Sequence, residues 1–278
     1  MVVLWLEELG KGVLKLLVNP LFYWTFLLVM LSGYRRIQME REQFGVKIND
    51  LFSEWKRTWL PSILSGILLT LVFVGVGIVF SYGSLIVLSI LMILLSLNLT
   101  FTLLSPVYTI GLTYILLLIV ETFSPNIDII PEFIYSDINY LALTLLMGMM
   151  LFVEAFLIRR IGRKESFPKL VKSQRGIWIG EHQMKKSAII PMFLLVPGGA
   201  IESFTPYWPL ISLGEENYAF VLFPFLLGFS HHVRSVLTPI AAKHLAKRIA
   251  LLGLLITLIS GVGYLFEGMS LVALVVGL

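Results

Sequence analysis

The sequence predicts an all-α, polytopic helical membrane protein with about eight transmembrane helices plus a partial ninth. Three observations predict it. The first is composition: of 278 residues, 58% are hydrophobic and 14% charged, and the mean hydropathy is +0.91. Soluble chains average roughly 45–50% apolar and about 25% charged residues. That gap excludes a soluble globular domain, a disordered chain and a nucleic-acid partner, despite the net charge of +4. The second is run length: no charged residue lies between Arg57 and Glu121, and about 20 apolar residues cross a bilayer core about 30 Å thick. The third is charge alternation, since cytoplasmic loops carry an excess of Lys and Arg. Residues 34–59 hold six, 159–186 hold nine and 234–248 hold four, together nineteen of the 21 basic residues. The alternate connections carry acids instead, from Glu121, Asp128, Glu132 and Asp137 to Glu202, Glu215, Glu216 and Glu267.

The elements follow in order, and together make 1–278 a single helical transmembrane domain. Residues 1–18 set Trp5, Leu6, Leu9 and Val13 against Glu7, Glu8, Lys11 and Lys15, which predicts an amphipathic helix lying in the outer interface. Its acids precede its bases and no small-residue cleavage site follows, unlike a signal peptide. Asn19-Pro20 is an N-cap followed by proline at the first helical position, opening a span to about Ser32. Residues 34–59 form a first cytoplasmic loop, into which that helix continues. Spans at 60–80, 84–104 and 106–122 are separated by Ser81-Tyr82-Gly83 and Ser105-Pro106, both turn-like. A span at 138–158 leads to a second cytoplasmic loop, 159–186. Spans at 187–204, 218–237 and 249–266 complete the eight. Pro61, Pro106, Pro191 and Pro239 punctuate helix starts, where the first N–H groups need no internal partner. The run 269–278 covers about 15 Å as helix, half a bilayer core, so a ninth span and a continuing natural chain are expected. Ser62, Gly66 and Thr70 form a small-residue stripe suited to packing another helix. No span has glycine at i and i+4, so a glycophorin-type dimer face is unsupported, and a homo-oligomer stays open.

Chemistry is sparse. There is no cysteine, no HExxH motif and no Gly-rich phosphate loop; no cofactor and no metal is expected. Glu154 lies about one turn inside the inner end of its span. Intramembrane ionisable residues read as functional by default, and the plainer reading pairs it with Arg159 or Arg160. Pro197, Gly198 and Gly199 interrupt the predicted sixth span, with Glu202 one turn later. Broken helices of this kind serve secondary transporters as substrate sites, and the plainer reading is a kink. Gly228-Phe229-Ser230-His231 is faintly similar to the serine neighbourhood of rhomboid proteases, but no later span carries a histidine base for a nucleophile. The richest feature is the basic loops. Arg35, Arg36 and Arg41 in the first, and Arg159, Arg160, Arg163, Lys164, Arg175 and Trp178 in the second, are the candidate contacts to lipid or protein. Attraction of anionic lipid is worth about 1 kcal/mol per basic residue near the surface.

Several short stretches resemble one family. They are Asn19-Pro20-Leu21-Phe22-Tyr23-Trp24, Arg35-Arg36, Glu40-Arg41-Glu42-Gln43-Phe44-Gly45-Val46, Leu104-Ser105-Pro106-Val107-Tyr108 and Gln174-Arg175-Gly176-Ile177-Trp178-Ile179-Gly180. They look like the membrane region of MinJ-like proteins, the PDZ-bearing division-site proteins of Gram-positive rods. The resemblance implies a non-enzymatic scaffold in the cell membrane, at division septa and poles. It implies partners too: a DivIVA-like protein, a MinD-like protein and divisome components, with a cytoplasmic PDZ domain after the membrane part. No PDZ-like segment is present in these residues, and no catalytic residue carries over.

Overall fold

Asn19 caps the helix it precedes. Its Oδ1 accepts the Leu21 amide at 3.0 Å, and Pro20 fills the first turn, where no donor is needed. In this computed structural model, residues 2–53, 55–56, 58–99, 101–123, 131–135, 137–161, 166–172, 176–203, 205, 207–214, 217–234, 236–266 and 268–278 are described. The elements are α1 (Val2–Val18), α2 (Pro20–Phe44), α3 (Trp59–Val76), α4 (Tyr82–Ser96), a 3-10 turn (Phe101–Leu104), α5 (Pro106–Phe123), α6 (Glu132–Tyr135), α7 (Tyr140–Arg159), β1 (Phe167–Lys172), β2 (Trp178–Glu202), β3 (Asn217–Val233), α8 (Thr238–Gly263) and α9 (Met269–Gly277).

The all-α, eight-span prediction does not hold. Among the described residues, four helices are long and apolar enough to cross a membrane: α3, α5, α7 and α8. The α1–α2 pair, bent by 53°, makes up to a fifth, and α4, at 15 residues, is shorter than a span. The predicted helices at 187–204 and 218–237 are strands. They pair in one antiparallel sheet of order β1-β2-β3, and the β2–β3 ladder runs from His182↔Val233 to Pro197↔Tyr218 and, past a register shift, to Glu202↔Asn217. The second predicted loop, 159–186, likewise contributes β1 and the start of β2, paired from Phe167↔Gln183 to Lys172↔Trp178.

The reason lies in the prolines. Pro224 falls in the middle of its apolar run, and Pro191 lies past the first turn of a helix begun at 187, so helix would cost about 3 kcal/mol or more at each. In the ladder they face each other. Neither has an N–H to give, so this is a pair whose amides point away from the partner strand. The rest of β2 follows that alternation. From Ser187 to Leu195, odd-numbered residues turn their backbone groups outward, onto α3 and its flanks. Thr58 Oγ1 donates to the Ser187 carbonyl at 3.0 Å, the Phe193 amide donates to Thr70 Oγ1 at 2.9 Å, and the Phe80 amide donates to the Leu195 carbonyl at 2.8 Å. At membrane depth every backbone polar group needs such a partner, and an uncovered strand edge would not survive there.

Two glycines let helices come close enough to cover the edges. A Cβ on Gly66 of α3 would lie 2.0 Å from the Pro191 carbonyl oxygen, and one on Gly12 of α1 would lie 2.9 Å from that of Phe220. The stripe of Ser62, Gly66 and Thr70 therefore packs a strand edge, not a helix. At the other edge α1 lies on β3, with Trp5 against Phe220 at 5.6 Å and Trp208 at 6.2 Å between ring centroids.

One apolar core joins helices and sheet, from Leu21 and Leu28 through Phe73, Met92 and Met147 to Met192, Phe225 and Ala273. Helix α7 is its centre, with 72% of its span buried, against 33% for α3 and 22% for α8. The outer faces of those two helices stay apolar: Leu64, Ile67, Leu68 and Leu71 on α3, and Leu251, Leu255 and Leu258 on α8, are all exposed. That pattern, apolar inside and out, suits a lipid environment.

Candidate functional site

Helix α2 continues three turns beyond the predicted span end at Ser32. Ser32, Arg35, Arg36 and Met39 recur at i, i+3, i+4 and i+7, so they share one face of it. Opposite lies one face of the sheet. The register sets Phe167 beside Gln183, Gln183 beside His232 and Lys185 beside Ser230, and cross-strand partners point to the same side. With Lys169, Leu99 and Thr102 these residues line a cavity of about 260 Å³.

Its side chains are held from several directions. Buried Arg36 places its guanidinium 4.6 Å from the centroid of the Phe167 ring, with Nε 3.5 Å from Glu40 Oε1, and it donates to the Asp50 carbonyl. Glu40, also buried, accepts the Ile48 and Asn49 amides at 2.9 and 3.0 Å and the Asn49 side chain at 2.8 Å. This node folds the first loop back on α2. Arg35 is exposed and donates to the Asn98 carbonyl at 3.4 Å. Lys185 Nζ donates to Ser32 Oγ at 2.8 Å and sits 4.4 Å from the Phe101 ring centroid. Gln183 Nε2 donates to Ser230 Oγ at 2.8 Å.

Beside the cavity, buried Glu181 pairs with Arg234 (Nε to Oε2, 2.8 Å) and with His232. Burial works to raise its pKa, but the Arg234 hydrogen bond and the His232 charge outweigh it and hold the carboxyl below its ordinary value. On the opposite face of β2, buried Lys186 donates to the Ser53 and Lys56 carbonyls at 3.4 and 3.2 Å, pinning the first loop to the sheet.

The sequence-predicted residues scatter around this end. Arg41 is exposed on the last turn of α2. Arg159 ends α7 and lines a separate cleft of about 510 Å³ with Lys243 and Lys247. Arg160 lies with its guanidinium 5.1 Å from the Phe156 ring centroid. Trp178 opens β2, 62% exposed, with the Lys172 ammonium 5.4 Å from its ring centroid. Arg163, Lys164 and Arg175 lie outside the described residues, as do the acids Asp128, Glu215, Glu216 and Glu267 of the opposite connections.

Glu154, 3% exposed, accepts a hydrogen bond from Ser105 Oγ at 2.8 Å, and no ion pair with Arg159 or Arg160 is found among the described residues. The Pro197, Gly198, Gly199 and Glu202 group sits in a strand: a register shift between Pro197 and Ile201 marks a β-bulge. There is no helix here to break, so the premise of a transport site at this point fails. Ser230 is likewise a strand residue that accepts from Gln183. Among the described residues no cluster of three or more His, Asp or Glu could hold a metal ion.

From sequence, Lys169 and Lys185 count only among the nine bases of 159–186, and His231-His232 reads as adjacent side chains that diverge on a helix and form no metal site. The signal that finds them is parity. Once 178–233 is read as a hairpin, alternate residues Gln183 and Lys185, and Ser230 and His232, fall on one face together.

Comparison with known proteins gives one relative with a curated description, the cell division topological determinant MinJ of Bacillus subtilis (strain 168). It is 25% identical to this chain over 272 residues, covering 97% of the chain and 68% of the relative. The chain is thus MinJ-like over nearly its whole length. No family model matches it, and no solved structure gives a significant match.

Proposed function

We propose that this MinJ-like chain is a non-enzymatic membrane scaffold of cell division. It sits in the cell membrane at septa and poles and links a DivIVA-like protein to a MinD-like protein and the divisome. The observation that carries the reading is the likeness to a cell division topological determinant, spread over 97% of the chain rather than confined to one motif. The mechanism is mass action. A partner held at a membrane site meets others at an effective concentration of order millimolar, without any new contact between them. The exposed residues at the basic end, Arg41 and Trp178 foremost, are the proposed docking contacts; aromatic and Arg side chains dominate such interfaces.

The test is the position of the natural full-length protein, fluorescently tagged, in dividing cells of its own host. Enrichment at septa and poles that disappears when the DivIVA-like protein is removed supports the scaffold. A uniform membrane signal refutes it. Trp178→Ala together with Arg41→Glu should weaken that enrichment while leaving the amount of membrane-inserted protein unchanged.

A further inference from the structure

We infer that the cavity between α2 and the sheet is a binding site for a phosphate-bearing head group. The inference stands on the cavity's own chemistry and does not depend on which division proteins dock.

Four fixed cations line one space of about 260 Å³: Arg35, Arg36, Lys169 and Lys185. They come from three elements, α2, β1 and β2, so sequence proximity does not explain the convergence. Among the described residues no carboxylate lines this space. Two buried acids lie near among the described residues: Glu40, the ion-pair partner of Arg36, and Glu181, the cross-strand neighbour of Lys169. Glu40 beside Arg36 accepts three hydrogen bonds from residues 48 and 49, and Glu181 holds His232 and Arg234. Counting both acids against the four cations, the described residues here stay net positive. Like charges brought this close repel, least in water and increasingly as water is excluded. An anion that several of them contact relieves that repulsion.

Two of the cations are also pre-positioned. Phe167 lies under the Arg36 guanidinium, while Ser32 and the Phe101 ring hold the Lys185 ammonium. Such restraint lowers the ordering cost that a ligand would otherwise impose. Arginine forks match phosphate oxygens two at a time, and lysine adds a point charge. Ser32, Thr102 and Ser230 bring hydroxyls to the same wall. The volume falls below the roughly 300–1,000 Å³ of clefts that enclose drug-sized ligands, which suits a head group and not a whole large molecule. Met30 and Leu31 of α2, Leu94 of α4 and Leu97 just after it expose apolar surface close in sequence to the lining residues Ser32 and Leu99. A phosphate whose glycerol carries acyl chains would find both parts of itself accommodated. The favoured source is therefore an anionic phospholipid, and a water-soluble phosphate ester is the other.

The experiment uses the whole chain purified in a mild non-ionic detergent and read by native mass spectrometry. Phosphatidylglycerol and phosphatidylcholine are titrated separately, and glycerol 3-phosphate is titrated in a parallel thermal-shift series. Arg35→Gln and Lys169→Gln are the test variants, because neither residue is buried. Lys247→Gln, which lines the α7–α8 cleft, is the control. Saturable phosphatidylglycerol binding, weakened about tenfold by each test variant (~1.4 kcal/mol) and not by the control, supports the site with a lipid occupant. Stabilisation by glycerol 3-phosphate with the same variant pattern, and no preference for phosphatidylglycerol, supports the site with a soluble occupant. Binding that is equal for the two lipids without a glycerol 3-phosphate effect, or lost equally in the control, overturns the inference.

Discussion

Replacing Gly66 by alanine probes the joint on which the sheet depends. The added Cβ would sit 2.0 Å from the Pro191 carbonyl oxygen and 2.9 Å from its carbon, whereas ordinary contact begins near 3.4 Å. Both obstacles are backbone, so helix and strand have to part by about 1.4 Å at this point. Overpacking of a tight joint typically costs 1–3 kcal/mol. Parting also stretches the bonds on either side, from Thr58 to the Ser187 carbonyl and from the Phe193 amide to Thr70. Each buried group left without its partner adds about 1–3 kcal/mol. A loss of about 3–5 kcal/mol is therefore expected. At roughly 2–4 °C per kcal/mol for a chain of this size, the apparent Tm in detergent should fall by about 6–20 °C at a fixed scan rate. Gly75→Ala on the same helix is the internal control. It meets nothing within 4 Å, so the helix-propensity gain of about 0.8–1 kcal/mol should appear unopposed. If Gly66→Ala unfolds within about 1 kcal/mol of the parent, the close approach of α3 to β2 is not what seals the strand edge.

Two further outcomes follow from other contacts. Glu181 has a folded-state pKa below its ordinary 4.5, so its contribution is fully present above about pH 4.5 and is lost as pH falls through the folded value. Thermal midpoints followed downward from pH 6 should thus drop in the parent, and Glu181→Gln should flatten that acid limb; an unchanged limb would show that the Arg234 and His232 pairing does not couple to folding. Ser105→Ala should cost about 1–3 kcal/mol by removing the donor to buried Glu154, whereas Glu154→Gln, whose amide oxygen accepts the same bond, should stay within about 1 kcal/mol of the parent; equal losses in both would argue that the carboxylate itself is required.

Hydropathy located every long apolar segment but could not tell helix from strand. The helices at 60–80, 106–122, 138–158 and 249–266 appear as α3, α5, α7 and α8, the last starting eleven residues earlier at Thr238. Segments 187–204 and 218–237 are also long and apolar, and charge alternation does not separate the two cases. A connection that leaves one side and returns places its flanks alike, whether built of helices or strands. The signs of strands are local: Pro191 inside its run and Pro224 at mid-run, Pro197-Gly198-Gly199, and the phenylalanines at 220, 223, 225 and 229. Pro191 reads as start punctuation and Pro197-Gly198-Gly199 as a kink, and only together with Pro224 and the phenylalanines do they argue against a 3.6-residue period. The candidate site suffered from the same choice. Arg35 and Arg36 stand out as charges beyond a span, but their partners across the cavity share a face only when the period is two.

The sealed strand edge also dictates an order of assembly. The bond between Thr58 and Ser187 spans 129 positions, so at about 5–20 residues per second α3 waits about 6–26 s on the ribosome's schedule before its strand exists. In that interval its polar stripe has no tertiary partner. The helix is prepared for the delay: Ser62 Oγ donates to the Thr58 carbonyl at 2.6 Å and Thr70 Oγ1 to the Gly66 carbonyl at 2.8 Å. The hydroxyls thus satisfy themselves within the helix. Thr70 keeps its oxygen lone pairs for the Phe193 amide, which arrives last and finds an acceptor already in place.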